Sequence, residues 1–350
     1  MKPLFLHIPL SEKILFARHL SIMIRTGMPL LDSLRLFLKQ TKSGSFAYVL
    51  KQVIANVENG QFLAMSLGQF QRLFGDLFIN IVRIGETGGV LSENLEHLSI
   101  ELKKRQILHQ KIRSALIYPA IVLIAMTVVI SILIFFVLPK IIPIFTSLNV
   151  ELPLTTKILI ALATFLLNYW MFVAVGIVAF LIIFSLLLRV YAFRYACHRF
   201  LLVMPLVGTI SRKAAMSDLA RTLGLLLKSG VKIVEAINVT SNSITNLVYK
   251  KSFSQAAEAM KKGDSLNAFL KTREDIFPSA LTQMIEVGES TGTLENNLFY
   301  LANFYEEEVD EATSNLSSTL EPILLLVMGV IVGFVAISII TPIYKITQPL

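Results

Sequence analysis

Three long stretches of the chain are mostly apolar and carry no charged side chain. They lie between Arg113 and Lys140, between Lys157 and Arg189, and between Glu321 and Lys345. Each is longer than the roughly 20 apolar residues that a helix needs to cross the core of a bilayer. The pattern predicts transmembrane helices at 117–138, 159–188 and 322–344.

Outside these stretches, apolar residues recur at spacings of three and four, as at Ala17, Leu20 and Ile24. This spacing is typical of amphipathic helices. The apolar runs are interrupted at Gly27 and Gly230, and glycine suits the position after a helix end, where φ is positive. Strand-like alternation is absent from the sequence. The pattern predicts an all-α protein whose polar parts are small helical bundles with short loops.

The chain is one unit written twice, at an offset of 203 positions. The segment FARHLSIMIRTG aligns with LARTLGLLLKSG, and IGETGGVLSENL aligns with VGESTGTLENNL. No gap is needed between Phe16 and Pro139. The paired positions include Gly85 with Gly288, Glu86 with Glu289, Gly89 with Gly292, Pro119 with Pro322, and Pro139 with Pro342. The sequence therefore predicts two repeat units, 16–139 and 219–342, each a bundle followed by a transmembrane helix.

The second transmembrane segment has no counterpart in the repeat. Without it, the second bundle would emerge on the opposite side of the membrane from the first. One extra crossing places both bundles, predicted at 1–115 and 189–320, on the same side and in parallel orientation. This arrangement disfavours an inverted-repeat transporter.

Composition and charge fix the environment and the orientation. Hydrophobic residues make up 54% of the chain and charged residues 16%, with a mean hydropathy of +0.67, which indicates a membrane protein. Lysine and arginine concentrate in the two bundles, so both should be cytoplasmic, with the loop 140–157 and the tail 345–350 outside. The net charge of +8 follows from this bias, and basic residues next to the spans suit an anionic lipid surface. Nucleic acid is not an expected partner, because acidic residues are mixed with the basic ones.

Five further motifs carry a family resemblance. They are KIRSALIYPA at the first membrane entry, LPKIIPIF at its exit, VELPLTT in the outer loop, the paired GE-x-x-G-x-L stretches, and LEPILLLVMGVIVGFV in the third span. With the duplication, they make residues 14–345 resemble the type II secretion F and type IV pilus platform family of bacterial inner-membrane proteins. Many members carry a longer N-terminal extension than this sequence, so the contacts that the extension makes in those members are not expected here.

The resemblance implies a polytopic membrane protein with three transmembrane helices and two homologous six-helix cytoplasmic bundles. It implies a platform without enzymatic activity. Its expected partners are a cytoplasmic hexameric assembly ATPase, the transmembrane helices of pilins or pseudopilins, other inner-membrane assembly proteins, and further copies of itself.

The glycine-rich stretch GETGG and its copy are the first candidate site. A phosphate-binding loop would need a lysine after its glycines, and neither copy has one, so a partner must hydrolyse the ATP. The stretches are interpreted as helix–turn–helix junctions in which Gly85 or Gly288 ends a helix, and Gly89 or Gly292 frees the turn. Glu86 and Glu289 are not required by the turn, and are candidates for a partner contact or an interhelix salt bridge.

The other candidates lie around the membrane spans. Glu321 is expected at the N-terminus of the third span, where the helix dipole favours an acid and where a basic partner could bind. Gly329 and Gly333 form a GxxxG face suited to helix packing. Pro119, Pro139, Pro322 and Pro342 are expected to shape span ends. The acidic run Glu306–Ala312 is either a solvated face or a docking surface for a basic partner.

Two chemical alternatives are weaker. Ca²⁺ could bind acids grouped as Glu86, Glu93 and Glu96, or as Glu286, Glu289 and Glu295, but no calcium-loop motif occurs, and no cofactor is expected. A small transporter or channel is the alternative function. It would need polar groups inside the membrane, where the sequence offers only hydroxyls, which can bond to their own helix backbone: Thr127, Ser131, Ser185 and Ser338.

Overall fold

The structure is a computed structural model that describes residues 6–147 and 153–347. Every regular element in these ranges is a helix. The first bundle is formed by α1 (Leu10–Arg25), α2 (Leu30–Gln40), α3 (Gly44–Glu58), α4 (Leu63–Gly68), α5 (Gln71–Phe74), α6 (Asp76–Gly88) and the first part of α7 (Leu91–Ile132). A π-helical turn (Leu133–Val137), α8 (Leu138–Ser147) and α9 (Leu154–Leu187) follow. The remaining helices are α10 (Tyr191–Val203), α11 (Val207–Lys228), α12 (Ile233–Ser243), α13 (Leu247–Lys261), α14 (Leu266–Lys271), α15 (Ser279–Thr291) and α16 (Leu294–Thr347).

The helix boundaries repeat at the offset found in the sequence. Helices α2, α3, α4 and α6 begin and end 203 positions before α12, α13, α14 and α15, without a residue of difference. Helices α1 and α11 end at matching positions, and α7 and α16 begin at matching positions. Between these helices, the stretch that matches α5 is a turn. The predicted all-α fold with two homologous bundles is confirmed.

The two bundles belong to one compact unit with a continuous apolar core. In the first bundle, the ring of Phe16 packs against the rings of Phe37, Phe46, Phe74 and Phe78. In the second, aromatic rings at 249, 253 and 277 pack together. Helix α6 contacts α11 and α12, which joins the bundles. Burial of these apolar side chains is the main stabilising force of the unit.

The second unit contains the membrane helices. Three helical stretches, Leu91–Pro143, Leu154–Leu187 and Leu294–Thr341, are long and apolar enough to cross a bilayer, as predicted. Helices α10 and α11 meet at a bend of 106° and would form a fourth crossing only if the bent pair were one span. One polar contact in this unit joins two spans: the hydroxyl of Thr156 donates to the carbonyl oxygen of Ser338 at 2.7 Å.

The ends of the spans differ from expectation. Glu321 and Pro322 lie inside the continuous helix α16, so the expectation that Glu321 sits at a helix N-terminus is wrong. Pro119 lies inside α7, and Pro342 lies inside α16, so these three prolines do not end helices. Pro139 is the second residue of α8, directly after the π-helical turn, and its ring has no N–H to donate to the preceding turn.

The predicted outer segments are partly helical. The loop 140–157 includes the last residues of α8 and the first residues of α9, while residues 148–152 lie outside the described range. Helix α16 extends through residue 347, and the rest of the predicted tail 345–350 lies outside the described range.

Candidate functional site

Glu86 caps a neighbouring helix. Its carboxylate accepts hydrogen bonds from the backbone N–H groups of Leu63 at 2.6 Å and Ala64 at 3.0 Å, the first residues of α4. These N–H groups have no partner within their own helix, and a negative charge is favourable at a helix N-terminus. The residue before α4 is Phe62, whose side chain has no acceptor. Glu86 on α6 therefore replaces the missing cap.

Glu289 repeats this contact in the second bundle. Its carboxylate accepts from the N–H groups of Leu266 at 2.9 Å and Asn267 at 3.0 Å, at the start of α14. Here the preceding residue is Ser265, whose hydroxyl oxygen accepts from the N–H of Ala268 at 3.1 Å. The second copy thus has two side-chain caps on one short helix, and the first copy has one.

This difference leads to a prediction for paired substitutions. Glu86→Ala should destabilise its bundle by about 2 kcal/mol and Glu289→Ala by about 1 kcal/mol, because only Glu86 is the sole cap of its helix. Hydrogen exchange of the full chain in nanodiscs would show faster exchange in α4 than in α14. Glu86→Gln keeps one acceptor oxygen and should lose less. Unchanged protection in Glu86→Ala, together with loss of a partner, would instead favour the partner-contact interpretation.

The glycines of the two junctions have different roles from those predicted. Helix α6 does not end at Gly85 but continues to Gly88, and Gly89 ends it with a φ of +72°. Gly85 is buried inside the helix, and a Cβ there would lie 2.9 Å from the Cα of Leu91. The first glycine therefore allows α7 to pack closely on α6, and the expectation that it ends the helix is wrong.

The second copy has the same arrangement. Gly292 ends α15 with a φ of +72°, and a Cβ on Gly288 would lie 2.7 Å from the Cα of Leu294. An asparagine on the following helix fastens each junction: Asn94 Nδ2 donates to the Ile81 carbonyl at 3.5 Å, and Asn297 Nδ2 to the Met284 carbonyl at 3.0 Å. In the sequence, these two asparagines are distinguished only by their matching positions in the repeat.

A buried arginine joins the two bundles. The Arg221 side chain is 4% exposed, and its guanidinium donates to Glu101 at 2.6 Å and to Glu306 at 2.5 Å. Glu101 lies on α7 of the first bundle, and Glu306 lies on α16 of the second. The fixed fork of an arginine suits such double pairing. Arg221 therefore fastens both of the long helices to α11.

Asp218 extends this polar interface by one helical turn. Its carboxylate lies 3.4 Å from Nε of Arg105 and 3.0 Å from Nε2 of His109. Burial alone raises the pKa of Asp218, but Arg105, the hydrogen bond to His109 and the charge of Arg221 together hold that pKa below its usual value. Further along, Lys111 pairs with Asp310 at 2.5 Å. A row of charged contacts along α7 therefore forms the polar part of the interface between the bundles.

The sequence alone does not predict this interface. The second arginine of the aligned pair, Arg221, is buried, whereas its counterpart Arg18 is exposed. An arginine at the same place in both copies was the available signal, but it does not reveal which copy is buried. The burial arises only when α11 packs against the first bundle.

The remaining candidates are not brought together. A Cβ added to Gly329 or Gly333 would meet no atom within 4 Å, so this face is open in the described chain. Among the acids considered for Ca²⁺, Glu96 pairs with Arg25 and Glu286 pairs with Lys271 at 2.9 Å. No group of three or more potential metal ligands occurs among the described residues.

These features define a class of protein: a helical membrane protein built from two repeats, each a bundle whose last helix continues into a membrane span. The family described as type II secretion system protein F matches residues 16–139 and 219–342. The chain belongs to this family.

Named relatives match almost the whole chain. A type IV pilus assembly protein PilC of Thermus thermophilus is 36% identical over 96% of this chain and 83% of that protein. A PilC of Pseudomonas aeruginosa is 33% identical over 95% of this chain and 89% of that protein. A type II secretion system protein F of Pseudomonas aeruginosa is 31% identical over 95% of this chain and 82% of that protein.

Proposed function

We propose that this protein is the inner-membrane platform of a type IV pilus or type II secretion machine, without enzymatic activity or a cofactor of its own. It couples a cytoplasmic assembly ATPase to the polymerisation of pilins or pseudopilins. Its family and the names of its relatives support this class of function. Both bundles lie in the cytoplasm, and the C-terminus lies outside, in keeping with the distribution of lysine and arginine.

One structural observation supports the proposed coupling between the ATPase and the membrane. Helix α7 has 42 residues and helix α16 has 54, and each runs unbroken from a bundle into a membrane stretch. A continuous helix is a rigid element that can carry a displacement along its length. Movement of a bundle by the ATPase would therefore reach the membrane through these two helices.

The membrane unit offers an apolar surface to the pilin helix. A cleft of about 280 Å³ lies between α7 and α16, and its lining is aliphatic or methionine throughout, including Val129, Ile130, Met328 and Val332. Such a surface suits packing by van der Waals contact with an apolar helix. It gives no polar path for an ion: the hydroxyls of Thr127 and Ser131 donate to carbonyls of their own helix at 2.8 and 2.7 Å. The Ser338 hydroxyl, in contrast, has no partner among the described residues.

A deletion strain of the source bacterium tests the proposal. Loss of the gene should abolish pili or secretion, and the full chain should restore them and co-purify with the assembly ATPase. A reporter that is active only outside should work after Leu350 but not near Asn246. ATP hydrolysis or prepilin cleavage by the purified chain alone would contradict the proposal, and ion flux into liposomes that hold only this protein would favour a transporter.

A further inference from the structure

The first bundle has an exposed apolar groove between α1 and α7. Its lining includes the apolar side chains of Leu15, Ile22 and Ile100 and the basic side chains of Arg18 and Lys103. The groove has a volume of about 650 Å³, and Ile22 is 50% exposed. We call this surface the α1–α7 groove.

The same positions in the second bundle are those that bind the first bundle. The pairs at the 203-residue offset are Leu15 with Asp218, Arg18 with Arg221, Ile22 with Leu225, and Ile100 with Asn303. Asp218 and Arg221 form ion pairs with the first bundle, and Asn303 accepts from Lys104 at 3.5 Å. Leu225 is only 1% exposed. The groove is thus an uncovered copy of a surface that is covered within the chain.

The surface of the first bundle that covers α11 of the second bundle is also repeated, on α15 and α16. In the first bundle, α6 and α7 provide the binding residues, and Ile84 on α6 lies beside Gly230. The matching positions on the second bundle are exposed and largely apolar. We call them the α15–α16 face: Val287 at the position of Ile84, Ala280 at Leu77, Tyr300 at His97, Phe304 at Glu101, and Glu307 at Lys104.

The two uncovered surfaces are complementary. The α1–α7 groove contributes Arg18 and Lys103 next to its apolar residues. The α15–α16 face contributes Glu307 next to Tyr300 and Phe304, all three exposed. Within the chain, Arg221 forms an ion pair with Glu101. At the matching positions, Arg18 would lie against the aromatic ring of Phe304, and a guanidinium on an aromatic ring is favourable. Opposite charge at the rim favours this pairing over others.

We propose that a second copy of this chain places its α15–α16 face in the α1–α7 groove and so repeats the contact between the two bundles. The contact joins different surfaces on the two copies, so it builds a closed ring or an open row. This inference deepens the proposed platform function and rests on it for its role in the machine. The contact itself can be tested without an assembled machine.

A cysteine pair tests the contact in the full chain in membranes. Cys197→Ser removes the only native thiol. In that background, Ile100→Cys with Glu307→Cys should be joined by a short bis-maleimide between chains, giving dimers and larger species. The matched control is Asn303→Cys with Lys104→Cys, which occupies the equivalent positions within one chain and should give cross-linked monomers.

Added Ile22→Asp should weaken association about tenfold, because it places a charge in a buried contact. Met65→Asp, at an exposed position outside the groove, should not.

Three results would overturn the interface. The first is cross-linking of the control pair without cross-linking of the test pair. The second is dimer formation by Ile100→Cys alone, which would indicate a contact between identical surfaces. The third is cross-linking that Ile22→Asp does not reduce. If the chain restores pili or secretion but does not cross-link as expected, only the proposed interface is contradicted. If the chain cross-links as expected but restores neither pili nor secretion, only the platform function is contradicted.

Discussion

Arg221→Met is expected to destabilise the two-bundle unit by about 3 kcal/mol or more. The substitution removes the only cation shown to pair with Glu306 among the described residues, and it leaves Glu101 only the longer contact with Lys104 at 3.9 Å. The side chains of Glu306 and Glu101 are only 19% and 12% exposed. Removing one partner of a buried ion pair costs about 3–5 kcal/mol, because the other charge stays buried without compensation. Hydrogen exchange of the full chain in nanodiscs should show faster exchange in α11 and in the 101–111 part of α7.

The repeat supplies a control for this prediction. Arg18→Met changes the matching arginine in the first bundle, which is exposed, and should alter stability by no more than about 0.5 kcal/mol. Adding Glu101→Gln and Glu306→Gln to Arg221→Met removes the uncompensated charges and should recover much of the loss. Equal exchange in the two single variants would show that the buried pairing contributes little.

Much of the fold could be predicted because it depends on local patterns. The long apolar stretches had to be membrane helices, since few other environments accept them. Gly27 and Gly230 end α1 and α11 with φ values of +86° and +88°, as the break in the helical pattern indicated. The gap-free repeat then transferred each feature from one half to the other.

The roles within the junctions could not be predicted, because they depend on packing between helices. The sequence shows that Gly85 and Glu86 recur, but not that the glycine faces α7 or that the carboxylate reaches α4. Both contacts join segments whose approach is set by the whole bundle. The buried state of Arg221 has the same origin. The expectation for Glu321 was wrong because the apolar stretch begins there, while the helix begins at Leu294.

Gly288→Ala is expected to destabilise the second bundle by about 2 kcal/mol, although alanine in a helix is usually preferred to glycine by about 1 kcal/mol. The new Cβ would lie 2.7 Å from the Cα of Leu294 and 3.1 Å from Nδ2 of Asn297. The nearest atom belongs to the backbone, so α16 as a whole must move away from α15. Overpacking of this kind costs about 1–3 kcal/mol and outweighs the gain in helix propensity.

The measurement is thermal unfolding of the purified full chain in detergent, followed by circular dichroism. Gly85→Ala should have a similar but smaller effect, because its closest approach is 2.9 Å. Gly88 lies in α6 with Gly85, and a Cβ on Gly88 would lie 3.6 Å from its nearest neighbour, which is an ordinary contact. Gly88→Ala should therefore be neutral or slightly stabilising. A stabilised Gly288→Ala variant would show that the two helices can separate at little cost. If the close approach is needed for coupling, Gly288→Ala should also reduce pilus assembly or secretion more than Gly88→Ala, since α16 is one of the two helices that connect a bundle to the membrane.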